Sequence, residues 1–294
     1  MLLVTGITGH SGTYFLKELI NKKYRGKIRC VVRKTSDVSL IDNSGLSIEK
    51  VTGDITDEAF LDRCMKDVDT IVHIVNIRYT LSIIKAAIKN DVGRAICVHT
   101  TGIYSKFKLA SQEYKNINTE LEMLVKTANI KITILQPTMI YGDLCDHNMS
   151  KFIKMIDYLR LFPVINDGKC LIQPVNARDL GRAYYQVLMM PIDKAKPIYN
   201  LSGERPISML EAFNLISKNL GKRTIFISLP LWFGLLLARI LKITTFGNIN
   251  YIERVQRMAE NRCFPNDEAK ADFGYNTETF ASGIAREVKE YLNK

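Results

Sequence analysis

The chain has 294 residues, of which 47% are hydrophobic and 24% are charged, the proportions of an ordinary folded protein. Lys and Arg outnumber Asp and Glu by 41 to 30, so the net charge of +11 favours anionic partners such as nucleotides, nucleic acid or acidic lipids. The basic residues are scattered and no zinc-finger or RNA-binding signature accompanies them, so nucleic-acid binding is not expected. Six cysteines without a C-x-x-C pair predict reduced thiols, and four histidines without ligand spacing predict no metal site.

The amino terminus reads directly as a strand, Leu2–Thr5, which predicts no signal or transit peptide and a cytoplasmic protein. The most apolar stretch, residues 229–238, contains Pro230 and Gly234. It is too short for a transmembrane helix, which needs about 20 apolar residues.

Short apolar runs alternate with helical patterns through the first half of the chain. The predicted strands, rich in Val and Ile, cover residues 2–5, 28–32, 70–75, 95–99 and 132–135. They are mostly apolar on both faces, which is typical of parallel strands covered by helices on both sides. The predicted fold class is therefore α/β, with a doubly wound parallel (Rossmann) sheet.

Helical patterns dominate the second half, which predicts a smaller, mostly helical substrate domain. The predicted helices cover residues 150–161, 179–189, 208–220, 230–242, 249–261 and 280–292, and strand candidates cover 171–175, 198–201 and 225–228. We predict a nucleotide-binding Rossmann domain in residues 1–142 and a substrate or lid domain in residues 143–294. Part of residues 171–201 is expected to return to the Rossmann sheet.

A glycine-rich loop follows the first predicted strand and opens a helix. Gly6, Gly9 and Gly12 are spaced three apart, which allows a tight turn and a close approach of the backbone to a pyrophosphate. The free N–H groups at the start of the following helix would bind that pyrophosphate. His10, inside the loop, is interpreted as a phosphate-side or solvent-facing residue rather than a catalytic base.

The end of the second predicted strand bears on the choice of dinucleotide. Arg33 and Lys34 stand there, and Arg33 is 21 residues after Gly12, where an NAD-binding site would have an acidic residue. A cation at this position suits a 2′-phosphate, so NADP(H) is favoured while NAD(H) remains possible. The alternative is that the pair is merely solvated at the strand end.

Several further motifs follow in order along nearly the whole chain. They are Thr5-Gly6-x-x-Gly9-x-x-Gly12, Gly53-Asp54-Ile55-Thr56-Asp57, Asp69-Thr70-Ile71-Val72-His73, Pro137-x-x-x-Tyr141-Gly142, Tyr199-Asn200-Leu201-x-Gly203 and Ala269-x-x-x-Phe273-Gly274-Tyr275. In these motifs the sequence resembles the extended and atypical short-chain dehydrogenases/reductases, specifically the NAD-dependent epimerase/dehydratase family. The resemblance implies an oxidoreductase or epimerase/dehydratase acting on a nucleotide sugar or a similar carbonyl or hydroxyl substrate.

The resemblance also implies which residues contact the cofactor. These are Gly6, Thr8, Gly9, His10, Ser11, Gly12, Arg33, Lys34, Asp54, Ile55, Val75, Asn76, Tyr114, Gln136 and Pro137.

Catalysis in this family uses a Ser or Thr together with Tyr and Lys in a Y-x-x-x-K pair on one helix face. Tyr114 matches the Tyr and Thr100 lies where the Ser or Thr belongs, but Asn118 replaces the Lys. We therefore predict Tyr114, Thr100 and Asn118 as the catalytic group. The missing Lys leaves an alternative, a catalytically silent NADPH-binding protein that acts as a redox sensor or an assembly factor.

The apolar segment from Pro230 to Lys242 has two interpretations. Its apolar positions have helical spacing, which favours a lid helix or a contact in a homodimer. Arg239 and Lys242 could instead reach lipid head groups, in a peripheral contact with a membrane.

Overall fold

Strands and helices alternate in the first half of the chain. The computed structural model describes residues 1–107 and 109–294. The strands of the first half are β1 (Leu2–Thr5), β2 (Ile28–Val32), β3 (Ile48–Thr52), β4 (Thr70–His73), β5 (Arg94–Val98), β6 (Lys131–Pro137) and β7 (Ile140–Tyr141). The helices are α1 (His10–Asn21), α2 (Ser39–Asp42), α3 (Glu58–Cys64), α4 (Thr80–Lys89) and α5 (Ser111–Lys126).

The second half is richer in helices and its strands are short. The strands are β8 (Leu161–Ile165), β9 (Leu171–Ile172), β10 (Val175–Asn176), β11 (Ile198–Leu201), β12 (Ile207–Ser208) and β13 (Ile225–Leu229). The helices are α6 (Met149–Tyr158), α7 (Ala177–Met189), α8 (Met209–Asn219), α9 (Leu231–Thr244), α10 (Ile252–Arg257), α11 (Asp267–Phe273) and α12 (Phe280–Leu292).

Within the described residues, seven strands form one parallel sheet in the order β11-β6-β5-β4-β1-β2-β3. Leu2 and Val4 of β1 belong to one hydrophobic core, which α1 and α7 cover, and Leu3 belongs to a second core under α3 and α4. Both faces of the sheet are therefore buried under helices. The predicted doubly wound Rossmann fold is confirmed.

Two elements of the second half complete this sheet. Strand β11 pairs with β6, and helix α7 packs against α1 on one face. The two helices approach so closely that a Cβ atom on Gly181 would lie 2.5 Å from the backbone carbon of Tyr14. The division at residue 142 into two domains stays a prediction.

A third core lies in the second half, among α6, α8, α12 and β8. Strand β13 pairs in parallel with β8 and leads into α9. Helix α9 packs through Gly234, where a Cβ atom would lie 2.6 Å from Ile165 Cδ1 and 3.2 Å from Val255 Cγ1 of α10.

Several predicted elements differ from the structure. Strand β3 was not predicted, because the charged Glu49 and Lys50 interrupt its apolar pattern on the partly exposed outer edge of the sheet. The helix predicted over 150–161 ends at Tyr158, and the chain continues as β8, which pairs with β13.

Two more predictions need correction. The strand predicted over 171–175 is divided at Gln173 and Pro174 into β9 and β10, which pair with different strands. The helix predicted over 249–261 is only α10. Beyond it Glu260 accepts hydrogen bonds from Ser105 and from the backbone N–H of Lys106, so contacts with the other half replace the helical pattern.

Candidate functional site

The glycine-rich loop joins β1 to α1 at the carboxyl edge of the sheet. Gly6 has a φ of +79°, and a Cβ atom there would lie 2.8 Å from the carbonyl oxygen of Ile74. A Cβ atom on Gly9 would meet only the Gly6 carbonyl oxygen, at 3.2 Å, so the space in front of Gly9 is open. Helix α1 has no side-chain cap and no acidic residue in its first turn. This cradle of free N–H groups fits the pyrophosphate of a dinucleotide.

The other predicted residues of the loop have distinct environments. Thr8 Oγ1 lies 3.4 Å from Ser36 Oγ, which also accepts a hydrogen bond from the backbone N–H of Arg33. The side chain of Ser11 is buried and its Oγ accepts a hydrogen bond from Tyr184. Thr8 therefore connects the glycine-rich loop to the turn that carries Arg33.

His10 contacts a carboxylate. Its Nε2 is 3.0 Å from Asp143 Oδ1, and Tyr14 donates a hydrogen bond to Asp143 Oδ2 at 2.9 Å. Burial acts to raise the pKa of Asp143, but the hydrogen bond and charge of His10 outweigh it and lower the pKa to about 2. Asp143 is therefore an anion that fixes both side chains beside the loop.

Arg33 and Lys34 lie at the carboxyl end of β2, next to β1 in the sheet. Both side chains are exposed, and among residues 1–107 and 109–294 neither forms an ion pair within 4.0 Å. Asp54 follows β3 and is exposed, and a hydrogen bond from the backbone N–H of Thr56 lowers its pKa. Ile55 beside it is partly buried against the core under α3.

Of the remaining predicted cofactor residues, Val75 and Asn76 follow β4, and Gln136 and Pro137 end β6. Val75 Cγ2 would lie 3.0 Å from a Cβ atom on Gly6, so this side chain forms part of the floor of the loop. Asn76 Oδ1 accepts the backbone N–H of Arg78. Gln136 is fully buried and Pro137 ends β6 beside it.

A cavity of about 310 Å³ opens beyond the carboxyl ends of β5 and β6. One wall carries hydroxyl groups. Thr100 Oγ1 accepts the N–H of Gly102 at 3.0 Å, Thr101 donates to the carbonyl of Pro137 at 3.2 Å, and Tyr104 donates to Gln136 Oε1 at 3.0 Å. The hydroxyl of Thr101 already donates its hydrogen bond to a backbone carbonyl. Thr100 is therefore the threonine that can donate a hydrogen bond into the cavity.

Another part of the lining is cationic and comes from the chain around the end of α10. Arg257 and Arg262 both line the cavity. The Nε atoms of both are buried and have no hydrogen-bond partner in the described residues. Burial and the nearby charge of Arg257 lower the pKa of Arg262 to about 10, so it remains a cation at neutral pH. Glu260 also lines this wall, and its carboxylate accepts hydrogen bonds from the 105–106 segment.

Tyr114 and Asn118 lie on α5 and are not among the residues that line the cavity. Tyr114 is buried in a small apolar cluster with Ile77, Ile103 and Ile117. The guanidinium of Arg78 lies 5.6 Å from the centre of the Tyr114 ring. A cation is therefore near Tyr114 even though the Lys of the family motif is absent. The structure thus brings Thr100 to the cavity without Tyr114.

Asn118, which stands at the position of the family's Lys, contacts a histidine. Its Oδ1 is 3.1 Å from His99 Nδ1, and His99 Nε2 is 3.1 Å from Thr80 Oγ1. Burial lowers the pKa of His99 to about 4, and the hydrogen bond with Asn118 offsets only part of this effect. His99 is therefore neutral at physiological pH, and Asn118 holds its ring in place.

Sequence reasoning missed His99, Tyr104, Arg257 and Arg262 as site residues. The first two flank Thr100 and Thr101 at the end of a predicted strand, which was a usable signal. The two arginines had none, because Arg257 fell within the helix predicted over 249–261 and Arg262, just after it, belonged to no motif.

None of the helices in the part of the chain that the structure describes combines the length and the apolar character needed to cross a bilayer.

Comparison with known proteins identifies the first half. A family model described as NAD(P)H-binding matches residues 6–149. A search of curated proteins finds none that matches this sequence.

Solved structures share the fold over the full length of the chain. The protein gox2253 has a TM-score of 0.79 at 18% identity, with 100% of this chain and 98% of that chain covered. A double mutant of the dTDP-glucose 4,6-dehydratase DesIV from Streptomyces venezuelae, with NAD bound, has a TM-score of 0.76 at 18% identity, covering 100% and 97%. The UDP-glucuronic acid 4-epimerase from Bacillus cereus, with UDP-glucuronic acid and NAD, has a TM-score of 0.76 at 16% identity, covering 99% of both chains.

These findings confirm the resemblance at the level of the nucleotide-binding domain and of the fold. Residues 6–149 therefore resemble NAD(P)H-binding domains, and the whole chain has the fold of the dTDP-glucose 4,6-dehydratase and the UDP-glucuronic acid 4-epimerase named above.

Proposed function

We propose that this protein is an NADP(H)-dependent oxidoreductase or epimerase/dehydratase whose substrate is a nucleotide sugar or a similar phosphorylated carbonyl or hydroxyl compound. The observation that carries the proposal is that one cavity is lined both by the hydroxyl-bearing Thr100 and by the guanidinium-bearing Arg257 and Arg262. A substrate with a reactive carbon and a phosphate could engage both kinds of group.

The cationic wall favours an anion because its charge is only partly balanced. Arg257 has one ion pair, with Glu253 at 3.8 Å, and the carboxylate of Glu260 is engaged by Ser105 and Lys106. A phosphate could accept hydrogen bonds from the unpartnered Nε groups of Arg257 and Arg262, and bonds of this kind are among the strong ones in proteins. The enzymes of similar fold named above include one with UDP-glucuronic acid.

The residues at the sheet edge would divide the chemistry between them. A dinucleotide held by the glycine-rich loop would supply hydride-transfer chemistry at the substrate carbon. Thr100 would donate a hydrogen bond to the substrate oxygen and hold the reactive carbon in position, because its own Oγ1 is already fixed by Gly102. A tyrosine hydroxyl would exchange the proton, and Tyr114 is the residue that the family motif assigns to this role.

The substrate proposal is tested by titrating UDP, dTDP and the corresponding sugar nucleotides into the NADPH-loaded protein. We expect binding by the unmodified protein and at least a tenfold loss for Arg262→Ala, since a charge-assisted hydrogen bond is worth about 1.5–3 kcal/mol. Arg223→Ala is the matched control, because Arg223 is exposed and does not line the cavity. Failure of every nucleotide to bind would overturn the substrate class.

A specific observation favours the second candidate, a silent NADPH-binding protein. Tyr114 lies in an apolar cluster outside the cavity lining, and Asn118 is engaged by His99. In this case NADPH would bind without turnover, and the protein would report cofactor level or support assembly of a complex.

Two tyrosine variants separate the candidates. If Tyr114 transfers the proton, Tyr114→Phe loses about a hundredfold or more in kcat, in the range typical of general acid–base catalysis. Tyr104→Phe is the matched control, because Tyr104 lines the cavity and its hydroxyl already donates to Gln136. If only Tyr104→Phe is impaired, the proton-transfer role moves to Tyr104. If NADPH binds and no substrate turns over with the unmodified protein, the silent candidate is supported.

A further inference from the structure

Helix α9 presents an apolar face that the rest of the described structure leaves uncovered. Trp232, Leu236, Ile240 and Ile243 follow one another at helical spacing and lie on one side of the helix. Trp232 is 68% exposed and Ile243 73% exposed, and the other two are nearly half exposed. Gly234 and Ala238 on the opposite side are buried. We refer to these four side chains, together with Phe246, as the α9 surface.

Phe246 extends this surface through an unfavourable backbone conformation. It follows the last turn of α9 with a φ of +50°, the left-handed region in which glycine is normally found. The backbone N–H groups of Phe246 and Gly247 bond to the carbonyls of Ile243 and Lys242 and so close the end of the helix. This turn holds an aromatic side chain that is 96% exposed, in a backbone conformation that residues other than glycine rarely adopt.

The charged side chains of α9 itself are all basic. No Asp or Glu occurs between Glu211 and Glu253 in the sequence. Arg239 and Lys242 are exposed on α9 itself, and in the described residues neither has an acidic partner within 4.0 Å. An apolar strip with flanking cations and no acids is complementary to a bilayer with anionic head groups.

We propose that the α9 surface docks this protein on an anionic membrane, with α9 lying in the interface and its apolar side chains in contact with the acyl chains. Trp232 would sit at head-group depth, and Arg239 and Lys242 would meet lipid phosphates. The helix has 14 residues and does not cross the bilayer.

Charge argues against a second copy of this chain as the occupant. A symmetric dimer through the α9 surface would place four cations, Arg239 and Lys242 of each copy, in or beside one apolar contact, and α9 has no acidic residue to pair with them. An anionic membrane removes this repulsion.

The single tryptophan of the chain makes the test direct. Fluorescence of Trp232 is followed as the full-length protein is titrated with vesicles of phosphatidylcholine alone or with phosphatidylglycerol added, and association is measured independently by flotation. We expect a blue shift and flotation with the anionic vesicles, weakened by salt. Ile243→Ser and Phe246→Ser should each lower vesicle affinity about tenfold, the loss expected for a buried apolar side chain.

Controls separate loss of docking from loss of folding. Met123→Ser removes an exposed apolar side chain on α5, far along the chain, and should bind vesicles normally. Each variant should keep its NADPH affinity. Arg239→Gln combined with Lys242→Gln should abolish the preference for anionic vesicles.

Two results would overturn the proposal. One is unchanged Trp232 emission and no flotation with any vesicle. The other is a blue shift without vesicles that grows with protein concentration, accompanied by dimers that Ile243→Ser dissociates, which would assign the α9 surface to self-association.

Discussion

Arg33 is the residue expected to determine the preference for NADPH. Its exposed guanidinium stands at the end of β2, and its backbone is bonded to the Ser36 hydroxyl that also contacts Thr8 of the glycine-rich loop. We predict tighter binding of NADPH than of NADH by about tenfold to a hundredfold, the value of a charge-assisted contact.

Calorimetric titration of both cofactors measures this preference. Arg33→Ala should remove it while leaving NADH affinity unchanged, and Arg25→Ala, in the exposed segment before β2, is the control. Equal affinities for the two cofactors in the unmodified protein would contradict the assignment.

Two buried histidines should make the fold sensitive to acid. Burial lowers the pKa of His73 to about 3 and that of His99 to about 4, while an unfolded histidine titrates near 6.5. Between about pH 6.5 and pH 4 the unfolded chain therefore binds protons that the folded chain does not, so the free energy of unfolding falls as the pH is lowered.

Urea unfolding at pH 7 and pH 5 measures this effect. Each of the two histidines is expected to contribute a loss of about 2 kcal/mol across the interval, while the raised pKa values of Asp179 and Glu287 act in the opposite direction. The loss should therefore be about 2 kcal/mol smaller in His99→Gln than in the unmodified protein, whereas substitution of the exposed His147 by Gln should not change it. If the free energy of unfolding of His99→Gln changed with pH as much as that of the unmodified protein, His99 would not contribute to the acid sensitivity.

The sequence predicted part of the site residue by residue. The glycine spacing and the position of Arg33 follow from local chain geometry, so they could be read without a structure. Contacts between distant residues could not. Asn118 was recognised as a departure from the family motif, but its hydrogen bond with His99 depends on how α5 packs against the end of β5. Arg257 and Arg262 reach the cavity only because the chain after α10 folds back onto residues 105–106.

At the scale of elements, the contact between α1 and α7 supports the cofactor loop. Gly181 permits this contact, because a Cβ atom there would lie 2.5–2.6 Å from the backbone of Tyr14. Backbone atoms cannot move aside like a flexible side chain. Gly181→Ala should therefore destabilise the protein by about 1–3 kcal/mol and weaken NADPH binding by displacing α1.

Thermal and urea unfolding of Gly181→Ala measures the loss. Gly93→Ala is the matched control, because a Cβ atom on Gly93 would meet nothing within 4 Å and its φ is not positive. A Gly181→Ala protein as stable as Gly93→Ala would show that the two helices can separate without cost.

The elements with the predicted bounds are those whose own sequence has a clear apolar pattern. Strands β1 and β2 and helix α12 have the predicted bounds, since continuous apolar runs and a strong helical period mark them. Two strands that were not predicted carry no such mark. Strand β3 is partly charged, and β8 contains Pro163, so their pairing partners decide their structure rather than their own sequence.

At the scale of the whole molecule, the folded sheet crosses the predicted boundary at residue 142. Residues 1–142 include neither β11 nor α7, so a fragment of that length would expose the side of β6 and the apolar face of α1. We predict that residues 1–142 alone unfold without a cooperative transition, whereas residues 1–142 and 143–294 expressed together assemble and bind NADPH.

Circular dichroism during heating tests the single fragment, and copurification with NADPH titration tests the pair. A fragment of residues 1–142 that melts cooperatively and binds NADPH would contradict the prediction.

The late position of β11 also sets an order of events during synthesis. The outer strand of the sheet is made about 60 residues after β6, which at roughly 5–20 residues per second is a delay of some seconds on the ribosome. During that interval the apolar edge of β6, with Ile132, Ile134 and Leu135, has no neighbouring strand. Unpaired apolar edges are the usual start of aggregation, so the nascent chain should depend on a chaperone that holds this edge until Ile198–Leu201 emerges.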